Sequence, residues 1–469
     1  MASRDVTNVR PFGMRDKIGY MFGDFGNDFT FILSVMFLTK FYTDVMGVSP
    51  AMVGTMMMAS RFIDAFTDIG MGQFLDRQLA GPNGKYKPWI KRIAIPVAFV
   101  SFLMYASWFA DRSMGFKLFW MFATYILWGS FFYTMINIPY GSMASVISDD
   151  PVDRSELSTF RTIGATLAGL VIGVIGPMVV MVKNDQSQTI MDGSRMSMFA
   201  LGCAIFAVVC YMICYKNVEE RVVAETKNET VGLGETFRGM FSSKSLIGII
   251  LAALMLLLGS LSMGQMAGYV FPNYFGNAAG QSIASALQVI VILALAPFVK
   301  KLVQKYGKKE ISIVGGLVGG IALILGFFLQ TTNMAIYLVI LALANVGVGV
   351  FNLTIWAMIT DVIDDVEVRT NKRDEGTIYG SYSFARKLGQ ALSAGIVGFV
   401  MSAIGYSQAT AFDPNVLTGI YNISTLFPGI SMIALVLVLK FIYPLDKKTV
   451  DANTAELKRR RDNRNSVAL

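Results

Sequence analysis

Apolar stretches of about 20 residues recur along the whole chain, and this feature constrains the fold more than any other. A segment of about that length spans the hydrocarbon core of a bilayer as an α-helix, which satisfies its own backbone hydrogen bonds there. The 469 residues are 54% hydrophobic and 15% charged, whereas a soluble domain carries about 25% charged residues. The sequence therefore predicts an all-α membrane protein with twelve transmembrane helices. The predicted helices cover 18–42, 50–72, 89–110, 116–146, 158–182, 196–215, 245–270, 280–300, 311–330, 333–360, 376–403 and 418–443.

The longest polar connection, from Tyr215 to Lys244, divides the predicted helices into two groups of six. A short basic turn follows the second helix of each group, at 72–89 and at 297–310. Two halves that share one membrane orientation form a parallel repeat, which is the plan of the major facilitator fold. The predicted domains are an N-terminal six-helix half at 1–215, a cytoplasmic connecting loop at 216–244, a C-terminal six-helix half at 245–445 and a basic cytoplasmic tail at 446–469.

The basic residues are distributed unevenly between the two sides of this topology. Of the 40 Lys and Arg residues, Arg61 lies within a predicted span. The N-terminus, the even-numbered loops and the tail hold nearly all the others. By the positive-inside rule, both termini are cytoplasmic and the protein lies in the cell membrane. The basic segment 458–464 indicates contact with anionic membrane lipid rather than with nucleic acid. The few basic residues assigned to loops on the opposite side are Lys40, Arg112, Lys117, Lys183 and Arg195.

The composition excludes several kinds of site. The chain has no histidine, which removes the commonest general base and the histidine-dependent catalytic triads. Cys203, Cys210 and Cys214 fall on one predicted helix, and without histidine a zinc site there lacks a fourth ligand. We therefore expect buried, reduced thiols and no catalytic constellation, and the sequence indicates no obligate protein partner.

Three charged residues share one face of the predicted helix 50–72. Arg61, Asp64 and Asp68 are spaced at i, i+3 and i+7, which places them on the same side. A charge at the bilayer centre costs roughly 2.5–3.5 kcal/mol, so this face is expected to line the protein interior or an aqueous cavity. Two close carboxylates titrate as a coupled pair that a proton or a sodium ion stabilises. Ion pairs between helices are the alternative explanation for these charges.

The predicted helix 18–42 carries two further carboxylates, Asp24 and Asp28, one turn apart. Asp28 follows Lys17 by 11 residues, which is about 16 Å along a helix and near the bilayer midplane. An aspartate at that depth suits bidentate hydrogen bonding to sugar hydroxyls. Lys387, in the predicted helix 376–403, adds a basic group about a third of the way into the membrane.

Several motifs together resemble the glycoside–pentoside–hexuronide:cation symporters. They are GYMFGDFGNDF, GKYKPW, YILWG, YTMINIPYGSM and DVIDDVEVRTNKRDEGTIYGSYSFARKLGQAL, and the resemblance spans nearly the whole chain. It implies the major facilitator fold and symport of a small-molecule sugar with a proton or a sodium ion. No cofactor beyond that coupling cation is implied.

The resemblance also implies roles for individual residues. The chain departs from the family at Asn27, Thr67, Asn137, Gly141 and Asn352. Thr67 stands where the cation site has an asparagine, and Asn137 stands where the sugar site has an aspartate. From the resemblance and from position along the helices, the predicted substrate-binding residues are Asp28, Arg161, Tyr133, Asn137, Lys387 and Asp24. The predicted cation-binding residues are Asp64, Asp68, Thr67 and Thr134, and the predicted gating residues are Asp361, Asp364, Glu367 and Arg373.

The sequence favours a secondary active transporter that moves a glycoside, pentoside or hexuronide by alternating access. A lipid or drug carrier on the same fold and a sugar receptor without transport activity are the alternatives.

Overall fold

The computed structural model describes residues 9–222, 243–371 and 375–467, and its regular structure is almost entirely helical. Within these residues, eight helical stretches are long and apolar enough to cross a membrane. The predicted spans at 18–42, 50–72, 89–110 and 376–403 are not among them, because their helices are shorter or carry several charged residues. The count of twelve therefore stays a prediction. The eight stretches are Met114–Ile147, Val152–Val180, Gly193–Asn217, Lys244–Tyr274, Ala279–Tyr306, Lys308–Leu329, Met334–Thr370 and Pro414–Phe441.

Among the described residues, fourteen α-helices follow one another along the chain. The first seven are α1 (Met14–Leu33), α2 (Pro50–Arg77), α3 (Lys87–Leu103), α4 (Met114–Ile126), α5 (Thr134–Ile147), α6 (Pro151–Val180) and α7 (Gly193–Asn217). The others are α8 (Lys244–Tyr269), α9 (Ala279–Tyr306), α10 (Lys308–Leu329), α11 (Met334–Thr370), α12 (Glu375–Ala403), α13 (Pro414–Phe441) and α14 (Lys447–Val467). Between α6 and α7, strands β1 (Met181–Lys183) and β2 (Thr189–Met191) form an antiparallel hairpin that the sequence analysis did not predict.

Local sequence explains where several helices begin. Asp150 precedes α6, and its carboxylate accepts a hydrogen bond from the backbone N–H of Val152 at 2.7 Å. Pro151 then occupies the first helical position, where its missing N–H costs nothing. Asp192 caps α7 and Asn333 caps α11 in the same way. Such side-chain caps satisfy backbone donors that the first helical turn leaves unpaired.

Within the described part of the chain, four stretches have π-helical hydrogen bonding: Ser34–Leu38, Phe41–Val45, Leu127–Tyr133 and Val270–Tyr274. The first two continue α1 as far as Val45, and the third joins α4 to α5. A π-helical turn holds one residue more than an α-helical turn and is frequent at functional sites. Because α1 is continued in this way, Lys40 lies inside a helix, in agreement with the predicted span 18–42, and its count among the loop residues is wrong.

Lys40 is instead part of a buried polar network, with only 1% of its side chain exposed. Its ammonium group lies 2.7 Å from Asp44 and donates to the side-chain oxygen of Asn273 at 2.8 Å. The Tyr406 hydroxyl donates to the other oxygen of Asp44 at 2.7 Å. The Asn273 amide in turn donates to the carbonyl of Ala411. We call Lys40, Asp44, Asn273 and Tyr406 the lysine network.

The residues cluster into two compact units. The first comprises Met1–Thr230, Phe271–Ser285 and Gly395–Val416, and the second comprises Val231–Val270, Ala286–Ala394 and Leu417–Leu469. These units are defined by contacts and not by the internal repeat, so the predicted halves at 1–215 and 245–445 stay a prediction. Most of the predicted loop at 216–244 lies outside the described residues.

In the first unit, α1 packs closely against α6 and α7. A Cβ atom at Gly23 would lie 2.3 Å from the ring of Tyr140 and 2.9 Å from the sulfur of Cys214. Only glycine allows this approach, which brings the acidic face of α1 next to α5 and α7. The three cysteines of α7 are buried and carry free thiols.

In the second unit, α11 packs against α10 and α8 around a buried apolar core. The final helix α14 also contacts α11, because Arg460 donates to Asn371 at 2.7 Å and Asn453 donates to Asp365. Asp446 caps α14 by accepting a hydrogen bond from the backbone of Thr449 at 2.8 Å. The side-chain and backbone hydrogen bonds from Thr449 lower the pKa of Asp446. The predicted tail at 446–469 is therefore largely an ordered helix.

Candidate functional site

The charged face of α2 meets α4, α5 and the π-helical turn between them. Asp64 is buried, and its Oδ2 accepts a hydrogen bond from Nη1 of Arg61 at 2.9 Å within the same helix. The Arg61 side chain is 17% exposed, and its guanidinium lies 5.8 Å from the ring centroid of Phe31 on α1. An arginine over an aromatic ring gains a cation–π interaction. The pair therefore lies where α1, α2 and the π-helical turn come together.

Ser130, within the π-helical turn Leu127–Tyr133, completes the surroundings of Asp64. Its hydroxyl is fully buried and donates to Oδ1 of Asp64 at 2.5 Å. The Ser60 hydroxyl, also fully buried, lies 3.3 Å from that of Ser130. Both carboxylate oxygens of Asp64 thus have a donor, one cationic and one neutral.

Asp68 lies one turn further along α2, and Thr134 lies four residues after Ser130. The Thr134 hydroxyl donates to Oδ1 of Asp68 at 2.7 Å. The predicted cation residues Asp64, Asp68 and Thr134 are thus brought together. Thr67 donates its hydroxyl to the backbone carbonyls of Ile63 and Asp64, one turn back on its own helix. We call Arg61, Asp64, Ser130, Asp68 and Thr134 the α2 cluster.

A second ion pair joins α1 to α6. Asp24 is buried, and its Oδ1 accepts a hydrogen bond from Nε of Arg161 at 2.9 Å. Arg161 also lies over the ring of Tyr140, at 5.5 Å from its centroid. Tyr140 stacks on Tyr20 of α1 with ring centroids 4.5 Å apart. The predicted substrate residues Asp24 and Arg161 are therefore in direct contact, beside two stacked aromatic rings.

Asp28 lies half-buried on α1, one turn after Asp24. Tyr133 stacks on Phe31 and contacts Trp128, with centroids 5.9 and 5.4 Å away. Asn137 follows Tyr133 by four residues on α5 and is half-buried. Tyr133 and Arg61 thus both contact the ring of Phe31, which places Tyr133 beside the α2 cluster.

The remaining predicted residues belong to the second unit. Lys387 lies on α12, and its relation to the carboxylates of α1 and α2 stays a prediction. Asp361 on α11 forms an ion pair with Lys308 at 2.6 Å. Asp364 and Glu367 follow it on the same helix, and Arg373 lies outside the described residues.

Sequence reasoning missed two buried groups at these places. Ser130 is a lone serine in an apolar run, and its position depends on the π-helical turn, for which the sequence gives no signal. Asp365 is more deeply buried than Asp361; it accepts a hydrogen bond from the Ser245 hydroxyl at 2.7 Å and forms an ion pair with Arg369 at 3.0 Å. Asp365 lies within the motif DVIDDVE, and this position could have identified it as a candidate residue.

The first unit contains two neighbouring groups of side chains with different chemistry. The α2 cluster presents two carboxylates with oxygen-rich neighbours, which are ligands that hard cations and protons favour. The region of Asp24, Arg161 and Tyr133 combines charged hydrogen-bonding groups with aromatic faces. Such a combination binds polar rings that carry many hydroxyls.

Comparisons with known proteins agree with this chemistry. A family model described as "MFS/sugar transport protein" matches residues 19–447. The "Glucuronide carrier protein homolog" of Escherichia coli is 30% identical over 458 residues, which cover 97% of this chain and 96% of that protein. An uncharacterised symporter of Bacillus subtilis is 29% identical over 442 residues, 94% of each chain.

Solved structures share the fold at low sequence identity. A crystal structure of a D-xylose–proton symporter superposes with a TM-score of 0.64 at 14% identity, and the match covers 92% of this chain and 97% of the other. At that identity the likeness establishes the major facilitator fold alone.

Proposed function

Because the chain belongs to the MFS/sugar transport protein family, we propose that it couples movement of a glycoside, pentoside or hexuronide to a cation bound at the α2 cluster. The protein is an integral membrane transporter and works by alternating access. The observation that carries the proposal is the contact of Asp64 and Asp68 with the hydroxyls of Ser130 and Thr134, at 2.5 and 2.7 Å. Two carboxylates supported by hydroxyl oxygens form a site for a proton or a sodium ion.

The sugar would bind at Asp28, Arg161 and Tyr133, with Asp24, Asn137 and Lys387 as further substrate residues. Among sugar classes, Arg161 favours a hexuronide. Its side chain is 42% exposed, and among the described residues only Nε donates to a carboxylate. The two terminal nitrogens can therefore receive a sugar carboxylate as a bidentate partner. A neutral Asn137 removes one negative charge from the pocket, and a relative bears the name of a glucuronide carrier.

Calorimetric titration of the purified protein tests both parts of the proposal. The probes are the p-nitrophenyl β-glycosides of glucuronic acid, galactose and xylose, each with sodium chloride or choline chloride and at two pH values. We expect the glucuronide to bind best and the coupling cation to tighten its binding by about 5- to 150-fold, the usual range of coupling between two sites.

Three variants assign the sites. Asp28→Asn should abolish sugar binding, and Arg161→Gln should remove the preference for the glucuronide. Asp64→Asn should keep sugar binding but lose its dependence on the cation. Asp111→Asn, at an exposed acid, is the matched control. Wild-type sugar affinity in a well-folded Asp28→Asn variant would exclude the sugar site, and binding of lipids or detergent-like drugs in place of all three glycosides would favour the carrier alternative.

The orientation and the gate are also part of the proposal. The distribution of basic residues supports cytoplasmic termini in the cell membrane, which labelling of single exposed cysteines from either side would check. Asp361, Asp364, Glu367 and Arg373 would form a cytoplasmic gate, supported by the Asp361–Lys308 pair. Lys308→Gln should then change transport rate more than sugar affinity.

A further inference from the structure

The α2 cluster contains a cation of its own. Arg61 donates to one oxygen of Asp64, and Ser130 donates to the other. A transported cation needs these same oxygens. Because two cations near one carboxylate repel each other, the Arg61 guanidinium and the transported cation cannot both bind Asp64 at full strength.

The surroundings of Arg61 allow its guanidinium group to move away from Asp64. Among the described residues, Arg61 is held by one ion pair in α2 and by the face of Phe31, and the hydroxyls of Tyr125 and Tyr133 also interact with its guanidinium. Part of its side chain is exposed. An arginine stem is long and flexible, so its charged head can move to water while the stem stays packed. Ser130 differs, because it is fully buried in the π-helical turn and reaches Asp64 from a neighbouring element.

We propose that Arg61 determines the cation affinity of the coupling site, as a tethered cation that competes with the transported one for Asp64. This inference rests on the proposed function, since it requires that Asp64 bind the coupling cation. Without that cation, Arg61 neutralises Asp64. When the cation binds, Arg61 gives up Oδ2, while the Ser130 hydroxyl keeps the carboxylate oriented. Ser130 is therefore a positioning residue.

A loss of the Arg61 charge should then strengthen cation binding, because it removes the competitor and leaves Asp64 buried without its ion pair. The experiment measures the melting temperature of the purified protein against sodium chloride, with choline chloride keeping ionic strength constant, and against pH. A ligand of the folded state raises its melting temperature with concentration. The probe is sodium or the proton alone, so the identity of the sugar does not matter.

The variants are Arg61→Gln and Arg61→Met, which remove the charge, and Arg61→Lys, which keeps it and is the matched control. We expect the cation concentration at half-maximal stabilisation to fall at least about tenfold in both neutral variants and to stay within about threefold of wild type in Arg61→Lys. Ser130→Ala should raise that concentration and Ser130→Thr should restore it. A merely structural role for Ser130 would lower the melting temperature at every concentration without moving the midpoint.

An unchanged or higher midpoint in the neutral variants overturns the inference, as does failure of both to fold at any sodium concentration. Asp64→Asn separates this result from the proposed function. If Asp64→Asn responds to sodium and protons like wild type, the proposed role of Asp64 fails. If Asp64→Asn has lost the response while the neutral Arg61 variants keep the wild-type midpoint, only the role of Arg61 fails.

Discussion

Two ion pairs within helices of the first unit, Lys40–Asp44 and Arg61–Asp64, have similar sequence spacing but different surroundings. In each, a basic residue pairs with an aspartate one turn further along the same helix. The lysine network adds donors and acceptors from Asn273 and Tyr406, which are more than 200 residues away in sequence. The arginine pair has one further donor, Ser130, and a partly exposed cation.

Whether an ion pair is fixed or exchangeable depends on the other hydrogen bonds that its two residues make. Moving a buried charge into water requires that every partner be satisfied again. The lysine network has partners on three separate segments, so opening it would leave several polar groups unpaired. At Asp64 the proposed exchange would replace a single arginine with a single cation. We therefore expect the first pair to stabilise the fold and the second pair to be exchangeable.

The largest effect is expected for Lys40→Met, which leaves Asp44 without its cation. Loss of one partner of a buried pair costs about 3–5 kcal/mol of unfolding free energy. Denaturant unfolding in detergent measures it, with Arg61→Gln as the comparison. We expect sodium to restore stability to Arg61→Gln but not to Lys40→Met. Equal restoration of both variants would contradict the distinction between the two pairs.

A smaller effect is expected for Tyr406→Phe, which removes one hydrogen bond to Asp44. A hydrogen bond to a charged group contributes about 1.5–3 kcal/mol. The same unfolding assay applies, with Tyr306→Phe at an exposed tyrosine as the control. A loss no greater than that of the control would show that the Lys40–Asp44 pair does not need its distant partners.

The smallest effect is expected for Ser60→Ala, which removes a neutral hydroxyl 3.3 Å from that of Ser130. A neutral hydrogen bond contributes about 0.5–1.5 kcal/mol, and the cation midpoint should not move. Ser155→Ala, at an exposed position of α6, is the control. If Ser60→Ala shifts the midpoint as much as Ser130→Ala does, the two serines act on Asp64 as one unit.

The sequence correctly predicted features that depend on the regular spacing of residues along a helix. The spacing of Arg61, Asp64 and Asp68 predicted a shared face, and α2 is a continuous helix across all three. The family and the fold class are likewise confirmed. The alternative explanation for these charges was ion pairs between helices. The Arg61–Asp64 ion pair lies instead within one helix.

Other parts depended on information that periodicity does not contain. Lys40 was counted with a loop although it lies near the end of the predicted span 18–42, and its partners Asn273 and Tyr406 are distant in sequence. Ser130 gave no signal because its direction depends on the π-helical turn. The helix α14 was missed because a highly charged segment predicts no packed face, although Arg460 and Asn453 bind the end of α11.

The π-helical turn Leu127–Tyr133 also has a consequence for evolution and for sequence alignment. Each residue of a helix advances the chain by about 100°, so deleting one residue here would rotate everything on one side of the deletion relative to the other. Ser130 and Thr134 could then no longer both lie opposite Asp64 and Asp68. A relative one residue shorter at this point would keep only one of the two hydroxyl–carboxylate contacts, even if every aligned residue were identical. The length of this turn therefore determines whether both carboxylates of α2 keep a hydroxyl partner, and it changes by insertion and deletion rather than by substitution.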